Sequence, residues 1–202
     1  MTVARPAPSR LRPPEPARSR DVLAIRRRGT AGMMILRHLI AILLLPFVMT
    51  ILVPRWLLGS PAGAWRWPPD STLAAGARVF GTVLLIAGAA LFAWCVALFA
   101  RVGRGTLAPW DPTKRLVAVG PYRYMRNPMI TGVAAVLAGE ALITGARALA
   151  IWLGVFVLFN HLYFIVVEEP GLGRRFGVHY HEYKAAVPRW IPRLHAWRGG
   201  YS

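Results

Sequence analysis

The chain has 202 residues, of which 55% are hydrophobic, and it carries 25 Lys and Arg residues against 8 Asp and Glu residues. Its apolar residues lie in nearly uncharged blocks of about 20 residues, the length of a helix that spans a bilayer core of roughly 30 Å. This pattern excludes a soluble basic domain and predicts an all-α, polytopic membrane bundle, since spanning helices satisfy their backbone hydrogen bonds internally. We place four spans, at residues 34–54, 77–100, 129–146 and 148–167.

The positions of the basic residues predict the topology. If the N-terminus is inside, the cytoplasmic segments hold eight, six and six Lys or Arg residues, whereas the two outer segments hold only three. This is a strong positive-inside bias, and it predicts that both termini are cytoplasmic. The net charge of +17 is therefore explained by orientation and by contact with anionic lipid headgroups. We do not expect nucleic-acid binding.

Two regions have a simple expected role. Residues 1–32 are rich in Arg and Pro and poor in large apolar residues, so they are predicted to be a disordered basic arm. Residues 33–202 then form the membrane domain. The single cysteine, Cys95, excludes an intramolecular disulfide, and no Cys/His cluster has the spacing of a zinc site, so no metal is expected.

A stripe of mostly small residues is predicted on one face of the second span. At four-residue spacing, such a stripe allows a neighbouring helix to approach closely. The residues are Gly81, Leu85, Ala89, Ala93 and Ala97.

The start of the third span predicts an anion site. Asn127 is a good N-cap residue, and Pro128 suits the first helical position. The free N–H groups and the positive end of the helix dipole then face the basic 101–128 segment. This is a natural place for a carboxylate or another anion.

The third and fourth spans must form an antiparallel hairpin, because only residues 146–148 connect them. The hairpin returns Glu168 to the membrane face at which Asn127 lies. In the fourth span, Asn160, His161 and Phe164 lead along roughly one face to Glu168. A polar stripe of this kind is typical of a cavity lining, although His161 by itself is more typical of a hydrogen-bonded structural histidine.

Glu140 lies inside the third span, where a carboxylate costs roughly 2.5–3.5 kcal/mol on insertion scales. It is expected to face the bundle interior or the nearby outer interface. A hydrated position and a functional role fit equally well. Beyond the fourth span, residues 171–194 alternate aromatic and charged side chains, which predicts an interfacial amphipathic helix followed by an extended piece.

Three motifs in order resemble the isoprenylcysteine carboxyl methyltransferase family and the wider group of membrane methyltransferases that includes phosphatidylethanolamine methyltransferases. They are GPYRYMRNPMITG at 120–132, EEPGLGRRFGVHYHEY at 168–183 and VPRWIP at 187–192. The resemblance covers about residues 78–194. It implies a helical membrane enzyme that uses S-adenosylmethionine at its cytoplasmic side and accepts a lipophilic substrate from the bilayer.

The resemblance also implies which residues contact the cofactor. They are Leu116, Val117, Tyr122, Asn127, Pro128, Met129, Ile130 and Glu168. Many relatives have His and Tyr where this chain has Asn127 and Ile130, and Ile130 cannot supply a phenolic contact. The neighbouring Glu169 is rotated by about 100° on a helix and is expected to bind the basic interface.

We therefore expect an S-adenosylmethionine-dependent methyltransferase whose acceptor carries a carboxylate, a thiol or an amine. No residue stands out as a dedicated base, so none is assigned as catalytic. Two alternatives are a membrane reductase-like enzyme that uses a nicotinamide cofactor and a non-catalytic membrane interaction protein on the same scaffold. The first lacks a dinucleotide fingerprint, since the Gly-Arg-Gly turn at 103–105 follows a membrane helix instead of a strand.

Overall fold

A computed structural model describes residues 44–61, 66–68, 71–102 and 118–199. The predicted arm at 1–32, the start of the first span, and Leu116 and Val117 lie outside the described residues. The described residues form helices and connecting turns without any strand. The helices are α1 (Leu44–Gly59), α2 (Thr72–Val102), α3 (Pro128–Thr144), α4 (Arg147–Phe176) and α5 (Val178–Ala186).

The prediction of an all-α membrane bundle is confirmed. Two helical stretches, Thr72–Leu98 and Arg147–Phe176, are long and apolar enough to cross a bilayer. Two shorter apolar helices, α1 and α3, accompany them. The count of four complete spans stays a prediction, because α3 has only 17 residues and the described part of α1 begins at Leu44.

The contact between α2 and α3 follows a seven-residue period. Among residues 72–98 of α2, the buried ones are Ala74, Gly81, Gly88 and Cys95. At these positions the backbone of α2 is in direct contact with the backbone of α3. A Cβ atom at Gly81 would lie 2.8 Å from the Gly139 carbonyl oxygen. A Cβ atom at Gly88 would lie 2.6 Å from the carbonyl oxygen of Gly132. These pairs define an antiparallel glycine seam, consisting of Gly81, Gly88, Gly132 and Gly139.

The predicted stripe at four-residue spacing meets α3 at Gly81 and Leu85 and is wrong beyond these two residues. Gly81 is buried and Leu85 is half-buried, whereas Ala89, Ala93 and Ala97 are exposed. Four residues advance a helix by about 400°, so such a stripe drifts around the helix by about 40° at each step. Seven residues drift by only about 20° in the opposite sense, and a slight left-handed supercoil absorbs this drift.

Two tryptophan side chains fix the α3–α4 hairpin to α1 and to the connection between α1 and α2. Gly145 ends α3 with a φ of 68°, a left-handed conformation that favours glycine. The indole nitrogen of Trp67 donates to the Leu142 carbonyl at 2.8 Å beside this turn. Trp152 of α4 similarly donates to the Met49 carbonyl of α1 at 3.1 Å. The hairpin therefore has a fixed geometry, which carries Asn127 and Glu168 to the same end of the bundle.

Two helices contain a wide π turn shortly before a proline. The turn at Val48–Leu52 precedes Pro54, and the turn at Phe164–Glu168 precedes Pro170. A proline ring clashes with the carbonyl group four residues earlier and lacks the N–H that would bond to it. Those carbonyls belong to Thr50 and Val166, and both lie within the wide turns. π turns of this kind are frequent at functional sites, and the second one contains Glu168.

The glycine seam leads to a test of the packing. Gly88→Ala should lower the free energy of unfolding by about 1–3 kcal/mol, because its methyl group would overlap a backbone oxygen that cannot rotate away. Gly76→Ala on the same helix is the matched control, since a Cβ atom there meets nothing within 4 Å. Thermal unfolding of both variants in detergent, followed by circular dichroism, measures the difference. Equal midpoints for the two variants would contradict the proposed packing.

Candidate cofactor site

The turn before α3 is held in place by the C-terminal segment. Residues 120–123 form a 3-10 turn that begins at Gly120, whose φ of 56° favours glycine. Four backbone hydrogen bonds join residues 123–127 to the C-terminal residues: Arg126 N to Pro188 O (2.9 Å), Asn127 N to Arg189 O (3.4 Å), Arg193 N to Tyr124 O (3.0 Å) and Trp197 N to Arg123 O (2.9 Å). The turn that carries the Arg-Asn-Pro motif is therefore fixed by residues distant in the sequence.

Asn127 occupies the N-cap position of α3, as predicted, but its side chain makes no capping hydrogen bond. Its carbonyl oxygen instead accepts from the backbone amide of Thr131 at 3.0 Å and from the Thr131 hydroxyl at 2.9 Å. Pro128 follows at the first helical position and is fully buried. No described residue hydrogen-bonds the side-chain amide of Asn127, which leaves this group available to a ligand.

Glu169 is the centre of an ion cluster at this end of the bundle. It is only 8% exposed, yet three cationic side chains contact it. One carboxylate oxygen accepts from Arg126 at 2.8 Å and from Arg189 Nε at 2.9 Å, and the other oxygen lies 2.7 Å from Lys184 Nζ. The cluster joins the turn, α4, α5 and the C-terminal segment. The expectation that Glu169 binds basic groups is confirmed.

Glu168 precedes this centre and has a different environment. It is half-buried at the end of the π turn, and no hydrogen bond to it occurs within the described part of the chain. Arg126 and Arg189 attract its carboxylate electrostatically, while Glu169 repels it. The two adjacent carboxylates thus divide between a structural position at Glu169 and an unpaired position at Glu168.

Tyr122 connects the turn to α2 and to the carboxylates. Its carbonyl oxygen accepts from the Tyr183 hydroxyl at 2.6 Å, and its own hydroxyl lies within hydrogen-bonding reach of the Cys95 thiol. Burial raises the pKa of Tyr122, and the nearby Cys95 and Glu168 raise it further. The phenol therefore stays neutral near pH 7, where it can donate a hydrogen bond but cannot act as a base.

Arginine and tryptophan side chains surround His161, which the sequence placed on the polar stripe. Its Nδ1 atom lies 3.2 Å from the Trp190 indole nitrogen, which donates to it, and 3.3 Å from an Arg189 guanidinium nitrogen. Phe164, one turn further along α4, is buried and packs against the ring of Trp190. The structural interpretation of His161 as a hydrogen-bonded residue is confirmed, and its second ring nitrogen makes no contact with a described polar group.

Some of the predicted cofactor residues lie closer to one another in the structure than others do. Tyr122 and Glu168 are near enough to interact electrostatically, and Asn127 follows the arginine that binds Glu169. Met129 is half-buried, while Ile130 packs against the core formed by Val133, Leu137 and Phe156. All six described members of the predicted set remain predicted cofactor contacts.

Arg126 and Arg189 were not predicted from the sequence as partners of Glu169. Both guanidinium groups are largely buried, with 12% and 15% of the side chain exposed. A buried arginine needs a carboxylate. The sequence contains one signal for these partners, because each arginine lies inside a motif of aromatic residues and prolines. Their pairing with Glu169 could not be predicted, because it depends on how the hairpin and the C-terminal segment pack together.

The ion cluster predicts a large effect of Glu169→Gln on stability. Loss of the carboxylate that all three cations contact leaves the largely buried guanidinium groups of Arg126 and Arg189 facing each other without it, which should lower the free energy of unfolding by about 3–5 kcal/mol. Denaturant titration in detergent measures this loss. Glu182→Gln is the control, since Glu182 is exposed on α5, and it should behave like the parent protein. A similar stability of the two variants would show that the cluster contributes little.

A comparison with protein-family models bears on the same region. Residues 77–179, about half of the chain, match the model of the phospholipid methyltransferase family. No curated protein and no solved structure matches the chain. The matched region begins in α2 and includes the glycine seam, the turn, the α3–α4 hairpin and both carboxylates. It agrees with the resemblance drawn from the three motifs, and the chain belongs to the phospholipid methyltransferase family, whose members are membrane methyltransferases.

Proposed function

We propose that this methyltransferase uses S-adenosylmethionine and methylates a lipophilic acceptor at the cytoplasmic interface. The observation that carries the proposal is the unpaired carboxylate of Glu168 beside a rigid ion cluster. An incompletely paired carboxylate at the edge of a membrane bundle is costly to desolvate, so a cationic partner would stabilise it. The family to which the chain belongs supports methyl transfer as the reaction.

The residues of the site have the chemistry that the cofactor requires. S-adenosylmethionine supplies a methyl group on a positively charged sulfonium and carries an ammonium, a carboxylate, a ribose and an adenine. Glu168 offers an acceptor for the ammonium or the ribose hydroxyls. The Asn127 amide and the first N–H groups of α3 offer donors for the carboxylate. Tyr122 offers a neutral donor and a ring surface for adenine.

Methyl transfer is an in-line displacement, so the protein has to align donor and acceptor and to exclude water. The buried Glu169 cluster fixes the turn and the end of α4, and this keeps Asn127 and Glu168 at a constant separation. A carboxylate or thiolate acceptor needs little assistance from a base, whereas an ammonium must first lose a proton. Tyr122 has a raised pKa and is therefore no candidate for that base.

The site is proposed to face the cytoplasm, with both termini on the same side. Reporter fusions at residue 202 and within residues 60–70 should report opposite compartments, because the basic segments stay inside. Finding both reporters in one compartment would contradict the topology, and with it the common polar face on which the site depends.

Glu168 is the residue to test for cofactor binding. Glu168→Gln keeps the shape of the side chain but removes its charge, and removal of a buried charge partner commonly costs about 2–5 kcal/mol, or roughly 30-fold to several thousand-fold in affinity. Asn127→Ala should weaken binding less, because helix N–H groups remain available. Isothermal titration of the detergent-purified variants with S-adenosylmethionine measures both effects.

Glu182→Gln serves as the matched carboxylate control in this titration, and circular dichroism verifies that each variant is folded. A parallel titration with a nicotinamide cofactor separates the methyltransferase from a reductase-like enzyme. Binding of S-adenosylmethionine to Glu168→Gln with the affinity of the parent protein would refute the assignment of Glu168. Failure of the parent protein to bind it would refute the proposed cofactor.

A further inference from the structure

A groove lies between α1, α2 and α3, near the end of the bundle opposite the carboxylate pair. It consists of two adjoining cavities of about 670 and 700 Å³, which share Thr50, Ile51, Leu85 and Glu140. The first cavity continues towards Leu44, at the start of the described part of α1. We call the joined cavities the α1 groove. Its length along α1 is about 22 Å from Leu44 to Gly59, which suits an extended aliphatic chain.

Glu140 is the acidic residue in the mostly apolar lining of the groove, which also includes Thr50, Thr144 and Arg55. Glu140 lines both cavities, and its Oε2 atom is buried without a hydrogen-bond partner among the described residues. A buried carboxyl oxygen without a partner costs free energy. The groove is therefore incomplete until a polar group reaches Glu140. A protonated carboxyl group can donate a hydrogen bond to an ester carbonyl oxygen.

Positive charge lies at the rim of the groove, nearer the outer end. Arg55 lines the second cavity, is exposed, and contacts no carboxylate within the described ranges. The Arg66 guanidinium also lies at this end, 3.5 Å from the Leu58 carbonyl oxygen to which it donates. The groove thus presents a cation at its rim, a carboxyl group deeper inside and an apolar channel beyond them.

We propose that the α1 groove binds one anionic glycerophospholipid as a resident lipid. Arg55 takes the phosphate, Glu140 meets an ester carbonyl below it, and one acyl chain lies along the apolar part of the groove. A second copy of the chain is a poorer occupant, because the described residues at this end carry Arg55, Arg66 and Arg147, and two such surfaces would repel each other.

This lipid is not the methyl acceptor. Glu140 lies 12 residues beyond Pro128, which corresponds to about 18 Å along α3. An acceptor atom must approach the methyl donor to about 3–3.5 Å. The groove is therefore separate from the candidate cofactor site, and its occupancy can be measured without any assay of methyl transfer.

The experiment is a titration of the detergent-purified full chain with phosphatidylglycerol, followed by native mass spectrometry. The expected result is one tightly bound lipid per protein. Ala89→Trp should weaken this binding about tenfold or more, because Ala89 lines the groove and the indole would fill it. Ala90→Trp is the matched control, since the adjacent Ala90 is exposed on the same helix and does not line the groove.

The polar contacts have their own variants. Arg55→Gln and Glu140→Leu should each weaken the binding of phosphatidylglycerol by about tenfold. Glu140→Gln retains a hydrogen-bond donor for the ester carbonyl and should bind this lipid nearly as tightly as the parent protein does. The parent protein should bind neutral diacylglycerol more weakly than phosphatidylglycerol. The Arg55→Gln variant should bind the two lipids with equal affinity. Circular dichroism checks the fold of every variant.

Equal phosphatidylglycerol binding by the Ala89→Trp and Ala90→Trp variants would overturn the proposal. So would a parent protein that binds diacylglycerol as tightly as phosphatidylglycerol. The groove would instead be assigned to a second copy of the chain if the parent protein and the Ala90→Trp variant were dimers while the Ala89→Trp variant was a monomer with unchanged lipid binding. None of these outcomes depends on S-adenosylmethionine, so failure here leaves the cofactor proposal intact.

Discussion

The arrangement of the end of the bundle that carries the Arg-Asn-Pro turn depends on one buried carboxylate. Glu169 receives Arg126 from the turn before α3, Lys184 from α5 and Arg189 from the C-terminal segment. Backbone hydrogen bonds and the apolar cluster of Tyr180, Tyr183 and Val187 also join these elements, and the ion cluster is the contact at which all of them meet. A buried charge is tolerated only when it is paired. Because Glu169 needs its cationic partners, the backbone segments that carry these partners are held in fixed positions around it.

The two adjacent glutamates have different surroundings at the π turn before Pro170. Glu169 enters the ion cluster, while Glu168, the last residue of the wide turn Phe164–Glu168, stays half-buried and unpaired. A carboxylate held beside fixed cations but not bonded to them is suited to a ligand that brings its own positive charge. The proposed use of S-adenosylmethionine rests on this asymmetry together with the family of the chain.

The glycine seam has a complementary role within the membrane. Lipid tails do not drive apolar helices together, so association depends on close packing. The seam lets the backbones of α2 and α3 touch at two places one heptad apart, and this sets how α2 carries Cys95 against Tyr122. On the far side of the same helix pair the packing is looser, and there the α1 groove opens beside Glu140.

The sequence alone determined the class of the protein, the helical architecture, the hairpin and the family, because hydrophobic length, positive-inside charge and ordered motifs are local properties of the chain. It also separated Glu168 from Glu169 by the helical rotation between neighbours. Only the tertiary structure decided which cations meet Glu169, that the Asn127 side chain caps nothing, and that the α2 seam follows seven residues instead of four. Each of these features depends on segments that are distant in the chain. A buried ion pair or a contact between two backbones forms only when tertiary packing brings those segments together.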